Sequence, residues 1–196
     1  YLKRLKTNLE KYHSVSILRS IQELTTGDLL FLVSCSQIVD SDVLKNFEHA
    51  MVLHASDLPL GRGWSPHIWE IIDGAEQINV SLLDAVAEVD CGDIYRKIKI
   101  DIPRSALWDE INDLLFAAEI QLIEFAIENF DNLQKYAQNP DVEATYYPKR
   151  KPKDSEIDPN KSISEQFDLI RVCDPNRFPA LFHHRGETYR LTLEKL

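Results

Sequence analysis

The sequence "DLLFLVS" at residues 28–34 is a continuous apolar run that follows a glycine. A run that does not alternate with polar residues is typical of a strand buried on both faces of a parallel sheet. A helical pattern at 40–47, with Asp40 or Ser41 as its cap, separates it from a second apolar run, "AMVLH" at 50–54. This order of strand, helix and strand predicts an α/β fold with a mostly parallel sheet and flanking helices.

The rest of the chain continues this alternation. Leucines at helical spacing predict an amphipathic helix at the start, and a short strand is expected at 14–20. Ser65-Pro66 is a preferred cap-then-proline start for a helix that ends near Asp73-Gly74. The remaining predictions for this part are strands at 78–86 and 93–101, a turn at 87–92 and a long helix from 104 to about 132.

A change of composition at Asn139 predicts a domain boundary. The segment 146–162 is rich in proline and charge, which indicates irregular structure. A short helix at 163–172 and a β-hairpin that turns at Arg185-Gly186 are expected to follow. We therefore predict a core at 1–138 and a small C-terminal α/β-hairpin extension at 139–196.

Charge and composition exclude several classes of partner. The formal net charge of −10 argues against a general nucleic-acid surface, which needs clustered Lys and Arg, although a local basic pocket for a phosphorylated metabolite stays open. The apolar runs are far shorter than the roughly 20 residues that cross a bilayer. Three widely spaced cysteines without a CxxC motif favour reduced thiols in a cytoplasm. No histidine pair has metal-ligand spacing, so we expect no metal, no membrane insertion and a cytoplasmic location.

Two residues are candidates for chemistry. His54 stands at the carboxyl end of the second strand, and Asp90 lies in the 87–92 turn. Ligands of such sheets bind outside the carboxyl ends of the strands. Taken singly, each residue also fits a structural role, as a strand-end histidine and a turn-capping aspartate. Their placement at one edge of the sheet predicts a shared site.

Three motifs carry a resemblance to a known family. The sequences "HASDLP" at 54–59, "GRGWSP" at 61–66 and "VSLLDAVAEVDCGDIY" at 80–95 resemble the 10-formyltetrahydrofolate-dependent formyltransferases. The signature of that family is Asn-x-His, Ser-Leu-Leu-Pro, a glycine-rich turn and a later Asp-x-Gly. The resemblance covers residues 25–130 well, and "YYPKRKPKDSEID" at 146–158 resembles the segment after the core of sugar N-formyltransferases.

The resemblance implies a Rossmann-like core and a reaction. It assigns His54 and Asp90 as catalytic, with 10-formyltetrahydrofolate as the co-substrate and no metal. An amine attacks the formyl carbon, His54 stabilises the developing oxyanion, and Asp90 orients the imidazole and helps to remove the amine proton. Domains of this family begin with a strand, whereas the first element here is a helix, so we expect an additional N-terminal strand or a shortened sheet.

The chain departs from the family pattern at two positions. Val52 stands where the family has asparagine, and Asp57 stands where it usually has leucine. Either other residues stabilise the oxyanion in a rearranged site, or the protein is a slower or inactive member of the family. The candidate replacements for the missing donor are Ser34, Ser36 and Ser56.

The resemblance also implies binding residues. The pterin is expected in a loop of Val86, Ala87 and Glu88, with Gln37 on the other side, although a strand-turn without a ligand explains the same sequence. The residues expected on the acceptor side also have structural explanations. Gly63 and Trp64 fit a turn packed on the following helix, and Lys149 and Arg150 fit a charged run on the surface. The candidates there are Arg62, Gly63, Trp64, Tyr147, Lys149 and Arg150.

Among the members of the family, the sugar N-formyltransferases fit best. The expected acceptor is an aminodeoxy sugar, in its nucleotide-linked form, of bacterial surface-glycan biosynthesis, for example of the pseudaminic acid type. The alternatives are a methionyl-tRNA or glycinamide ribonucleotide formyltransferase and a non-catalytic folate- or nucleotide-binding relative. A homodimer through the C-terminal hairpin is a further open expectation.

Overall fold

The computed structural model describes all residues from Tyr1 to Leu196. Eight strands and five α-helices are joined by loops and four short 3-10 helices. In chain order the elements are α1 (Leu2–Leu9), β1 (Gly27–Val33), α2 (Ser41–Leu44), β2 (Phe47–His54), β3 (Arg62–Gly63), α3 (Pro66–Ile72), β4 (Gln77–Asp84), β5 (Ile94–Asp101), α4 (Trp108–Glu128), β6 (Tyr146–Tyr147), α5 (Phe167–Arg171), β7 (Ala180–His184) and β8 (Glu187–Leu191).

The central sheet has four strands in the order β1-β2-β4-β5. The α/β class with flanking helices is confirmed. Only the β1–β2 pair is parallel, whereas β2–β4 and β4–β5 are antiparallel. The connection from β4 to β5 explains one of these directions, because it is shorter than the dozen residues that a parallel crossover needs. The antiparallel direction of β2 and β4 follows because α3 and its loops return the chain to the edge of the sheet at which β2 ends.

The main core lies between this sheet and α4. Met51, Leu82 and Leu122 are fully buried in one apolar cluster that joins β2, β4 and α4. The apolar face predicted for the long helix is present, and the helix is shorter at both ends than predicted. Its first turn is capped by Glu110, whose Oε2 accepts a hydrogen bond from the Leu107 N–H at 2.8 Å.

Two local predictions need correction. The strand predicted at 14–20 does not form, and a 3-10 helix at Ile21–Glu23 follows the segment. All residues of 14–20 are half-buried or exposed, and no strand pairs with them. The 146–162 segment, expected to be irregular, contains β6 and a 3-10 helix. The hairpin prediction is confirmed: β7 and β8 pair around Arg185 and Gly186, both at positive φ.

The segment after residue 139 packs on the first part of the chain. Strand β6 pairs in parallel with β3. Arg171 is buried and donates from Nη1 to the carbonyls of Pro103 and Ala106 at 3.2 Å, and from Nε to Asp168 at 2.6 Å. The boundary at 138/139 stays a prediction. None of the helices combines the length and the apolar character that crossing a membrane requires.

Candidate active site

His54 and Asp90, 36 positions apart in sequence, are in contact. Their side chains are 8% and 6% exposed, with His54 Nδ1 3.4 Å from Asp90 Oδ1. The other ring nitrogen, Nε2, lies 2.8 Å from the carbonyl oxygen of Gly61. Both partners are hydrogen-bond acceptors, so an imidazolium satisfies both at once.

The turn after β4 carries Asp90 into this position. Asp90 has a left-handed φ of 56°, and its Oδ2 accepts a hydrogen bond from the Gly63 N–H at 2.8 Å. Gly92 is required nearby because a Cβ there would overlap the carbonyl oxygen of Asp84. The carboxylate of Asp90 therefore joins the imidazole of His54 to the 61–63 turn.

The C-terminal segment holds the 61–63 turn from its other side. The Gly61 N–H donates to Thr145 Oγ1 at 2.8 Å, and a Cβ on Gly63 would overlap the Tyr147 carbonyl oxygen. Gln138, which directly precedes that segment, donates from Nε2 to the carbonyls of Asp90 and Gly92, at 2.7 and 2.9 Å. Its Oε1 accepts from Arg62 Nη2 at 2.7 Å.

Sequence reasoning did not select Gln138 or Thr145. Neither belongs to a motif, and each reaches the site through a contact with residues 46 to 84 positions away. Only the tertiary structure could show their part in the site.

The position of the family asparagine is apolar here. Val52 packs against a cluster of Leu58, Leu83 and Ile94. Of the serines proposed as replacements, Ser34 and Ser36 are exposed beyond β1, whereas Ser56 is fully buried. The Ser56 hydroxyl has no hydrogen-bond partner. Its Cβ lies 2.9 Å from the point that a Cβ on Gly61 would occupy, so it is next to the turn that His54 contacts.

A cleft of about 500 Å³ lies between α2, β2 and the turn after β4. Of the four residues predicted around the pterin, Val86 and Ala87 line this cleft, whereas Glu88 and Gln37 do not. At one side, Asp84 accepts hydrogen bonds from Tyr95 Oη at 3.0 Å and from Lys135 Nζ at 2.5 Å. Burial and the charge of Asp84 raise the pKa of Tyr95, so the phenol keeps its proton and can donate.

Two of the candidate substrate-binding residues in the C-terminal segment, Arg150 and Tyr147, contact other residues of the protein. Arg150 Nη2 donates to the Asp154 carbonyl and to Ser155 Oγ, both at 2.9 Å. Tyr147 stacks on Trp69, with ring centroids 6.2 Å apart.

Lys149 and Trp64 remain accessible beside these engaged groups. Lys149 is exposed without an ion pair, and Trp64 is 39% exposed. The proposed substrate residues thus include two that the solvent reaches freely.

Helix α3 adds two titratable groups that the sequence analysis did not select. Burial and the charge of Asp57 raise the pKa of Glu70 to about 7. Burial, together with the neighbouring His54 and Arg150, lowers the pKa of His67 to about 4. At neutral pH His67 is therefore uncharged, and Glu70 is near its titration point.

The fold and this pair define an α/β protein with a buried imidazole–carboxylate site at the edge of its sheet. The family model described as "Formyl transferase" matches residues 5–127, which include His54 and Asp90. The chain belongs to the formyl transferase family.

Similarity to individual proteins agrees with this family. The methionyl-tRNA formyltransferase of Protochlamydia amoebophila (strain UWE25) is 29% identical over 174 residues, which are 86% of this chain and 54% of the relative. The chain thus spans about half the length of the curated relatives that it matches.

Solved structures give the same fold. The methionyl-tRNA formyltransferase from Clostridium thermocellum superposes with a TM-score of 0.82 at 25% identity, over 99% of this chain and 86% of that chain. A 4-N formyltransferase from Francisella tularensis has a TM-score of 0.72 at 19% identity, over 97% and 84%. At that identity the second likeness shows the fold alone.

Proposed function

We propose that the protein transfers the formyl group of 10-formyltetrahydrofolate to a primary amine, with His54 and Asp90 at the reacting centre. The observation that carries this proposal is the buried contact between these two side chains in a member of the formyl transferase family. The same residues are those that the sequence motifs implied. The alternative of a non-catalytic relative does not explain why both are present and in contact.

The residue types suit acyl transfer to an amine. Attack of the amine on the formyl carbon produces a tetrahedral centre with a developing oxyanion. The His54 imidazole is the proposed donor to that oxygen, with Nε2 exchanging its contact with the Gly61 carbonyl for one with the oxyanion, and one such donor is typically worth about 2.7–4 kcal/mol of transition-state stabilisation. Asp90 contacts both His54 and Gly63, so its proposed role is to position the imidazole against the turn.

Ser56 is the proposed substitute for the missing asparagine. Val52 offers only an apolar side chain at that position, as described above. The Ser56 hydroxyl is buried next to Gly61 without a partner, and it can donate one hydrogen bond. A site with His54 and Ser56 as its donors keeps two groups for the oxyanion.

The cleft beside Val86 and Ala87 is the proposed pterin site. Its volume of about 500 Å³ lies within the usual range of small-molecule pockets. Glu88 and Gln37 are proposed at its rim, outside the lining itself.

For the acceptor we propose an aminodeoxy sugar in its nucleotide-linked form. The net charge of −10 disfavours a polyanion such as tRNA, because phosphate contacts need clustered cations. The 4-N formyltransferase from Francisella tularensis shares this fold, as the methionyl-tRNA formyltransferase from Clostridium thermocellum does, so the fold permits either acceptor. Lys149 and Arg62 are the cations proposed to face the sugar's phosphates, with Trp64 and Gly63 beside the acceptor. Tyr147 and Arg150 are proposed to support this surface from behind.

Methionyl-tRNA is the second candidate acceptor. It is favoured by the 29% identity to the Protochlamydia relative and by the match to the Clostridium thermocellum structure. The predicted cytoplasmic location and homodimer stay predictions.

The experiment compares acceptors directly. The protein is incubated with 10-formyltetrahydrofolate and either a panel of nucleotide-linked aminosugars or methionyl-tRNA, and formylated product is detected by mass spectrometry. We expect formylated sugar, and a loss of at least about 10²-fold in turnover for His54→Ala.

The control variant is His184→Ala, which removes an exposed histidine of β7 and should keep full activity. Thermal shift with 5-formyltetrahydrofolate shows whether each variant still binds folate. Formylated methionyl-tRNA in place of formylated sugar would select the second acceptor. Binding of folate and nucleotide sugar without any transfer would show that the protein is a binding relative and not an enzyme.

A further inference from the structure

The imidazole of His54 lies between two turns of the chain, the 61–63 turn and the 90–92 turn. Its Nε2 contacts the carbonyl of Gly61 at 2.8 Å, and its Nδ1 contacts Asp90 Oδ1 at 3.4 Å. A direct hydrogen bond joins the two turns, from a backbone N–H of the 61–63 turn to Asp90 Oδ2 at 2.8 Å. The place of the ring therefore depends on how closely the two turns are held together.

The side chain of Gln138 links the same two turns a second time. Its Nε2 donates to the carbonyls of Asp90 and Gly92, at 2.7 and 2.9 Å, and its Oε1 accepts a hydrogen bond from Arg62 Nη2 at 2.7 Å. The reversed amide would place its oxygen against two carbonyls and its NH₂ group against a guanidinium. These partners therefore fix the amide in one orientation.

The backbone next to Gln138 is held independently of this amide. Tyr136 and Ile94 form an isolated antiparallel bridge. The Ile94 N–H donates to the Tyr136 carbonyl at 2.8 Å, and the Tyr136 N–H donates to the Ile94 carbonyl at 3.0 Å. Antiparallel pairing with this register places Gln138 opposite Gly92. A substitution of the Gln138 side chain should therefore leave the bridge in place and act on the link between the turns.

The backbone of Asp90 needs support of this kind. Its φ of 56° lies in the left-handed region, which residues other than glycine seldom adopt and which persists only where the surroundings hold it. The Asp90 carbonyl that Gln138 binds belongs to this strained residue. The same amide that links the turns thus also fixes the backbone from which the Asp90 carboxylate projects towards His54.

We propose, resting on the formyl transfer proposed above, that Gln138 is a positioning residue for that reaction. It acts through Asp90: by fixing the spacing of the two turns, it holds the carboxylate against the His54 ring. A misplacement of reacting groups by about 1 Å can cost about 10²-fold in rate, so loss of this link should slow the chemical step. Gln138 does not line the cleft proposed for the pterin, so folate binding should change little.

The test compares Gln138→Met and Gln138→Glu in the full chain at saturating 10-formyltetrahydrofolate and acceptor. Methionine makes none of the three hydrogen bonds, whereas an ionised glutamate keeps an oxygen for Arg62 but cannot donate to the two carbonyls. At pH 8 we expect kcat to fall by about 10-fold to 10²-fold in both variants, with the KM for 10-formyltetrahydrofolate changed less than twofold. Gln134→Met and Gln134→Glu are the matched controls and should behave as the parent, because Gln134 is exposed.

The pH dependence of Gln138→Glu distinguishes positioning from a general loss of structure. The introduced carboxyl can donate one hydrogen bond once it is protonated, and the two carbonyl oxygens that face it favour the protonated form. The kcat of this variant, relative to the parent at the same pH, should therefore rise as the pH is lowered from 8 to 5. The same ratio for Gln138→Met should not change. A general loss of structure would not be relieved by acid.

Binding of 5-formyltetrahydrofolate in a thermal-shift assay confirms that each variant is folded. If the parent transfers formyl groups and both Gln138 variants retain kcat within twofold, Gln138 is not a positioning residue and the proposed function stands. If the parent binds folate but formylates no acceptor of the panel, the proposed function fails and the role of Gln138 fails with it. If Gln138→Met no longer binds folate, Gln138→Glu decides: an unchanged kcat, or a loss that acid does not relieve, would exclude this role.

Discussion

Glu119 should make the protein less stable as the pH rises through neutrality. It lies on the buried face of α4, is 5% exposed, and its Oε2 has no hydrogen-bond partner. Burial raises the pKa of this carboxyl from its ordinary 4.5 to about 7. The folded state therefore holds the proton more tightly than the unfolded state does. The resulting stability is complete below about pH 4.5 and is lost as the pH rises towards 7.

The size of the effect follows from the same pKa. One pKa unit corresponds to about 1.4 kcal/mol, so ionised Glu119 costs about 3 kcal/mol at pH 8. In Glu119→Gln the side chain does not ionise and this cost disappears. The variant should gain about 2–3 kcal/mol over the parent protein between pH 5 and pH 8. Any constant effect of the amide cancels in that comparison.

Urea unfolding at pH 5, 6, 7 and 8, followed by tryptophan fluorescence, measures the free energy of unfolding. Glu124→Gln is the matched control, because Glu124 is an exposed carboxylate of the same helix. Its difference from the parent should stay within about 0.5 kcal/mol at every pH. A difference for Glu119→Gln that does not change with pH would show that Glu119 does not titrate near 7, and the reasoning from its burial would be refuted.

Two further predictions concern the contacts between the C-terminal segment and the core. Gly63→Ala should lower Tm far more than Gly74→Ala, measured by thermal unfolding: both glycines have a positive φ, but only at Gly63 would a Cβ overlap the carbonyl of Tyr147. Equal losses would mean that the β3–β6 contact is unimportant. Arg171→Met should cost about 3 kcal/mol in urea unfolding because two backbone carbonyls lose a buried charged donor, whereas exposed Arg177→Met should cost under about 0.5 kcal/mol. A small loss at Arg171 would mean that the segment after residue 139 is held by other contacts.

Local patterns in the sequence were enough to predict most elements and to select His54 and Asp90, which the structure brings into contact. Apolar runs and helical spacing identify β1, β2 and α4 because burial on one or both faces leaves a direct periodicity in the chain. His54 was selected as a candidate because it stands at the end of such an apolar run. The glycine between β7 and β8 marked their turn because it tolerates a positive φ. The strand predicted at 14–20 was wrong because an apolar stretch forms a strand only where another strand is available to pair with it.

The tertiary structure alone decided which distant residues complete the site. The contact of Thr145 with Gly61 joins residues 84 positions apart, and no local pattern encodes such a pairing. In the sequence, no motif or spacing distinguishes Glu70 and His67 from the other residues of a short helix. They became notable because the fold brings Glu70 close to Gly61 and His67 within the influence of His54, and because burial raises the pKa of Glu70 and lowers that of His67. The sequence by itself determined where buried strands and helices form, since the burial of one or both faces of an element requires a regular spacing of apolar residues. Strand direction, the environment of each ionisable group and the composition of the site were decided by the tertiary structure, because they depend on contacts between segments far apart in the chain.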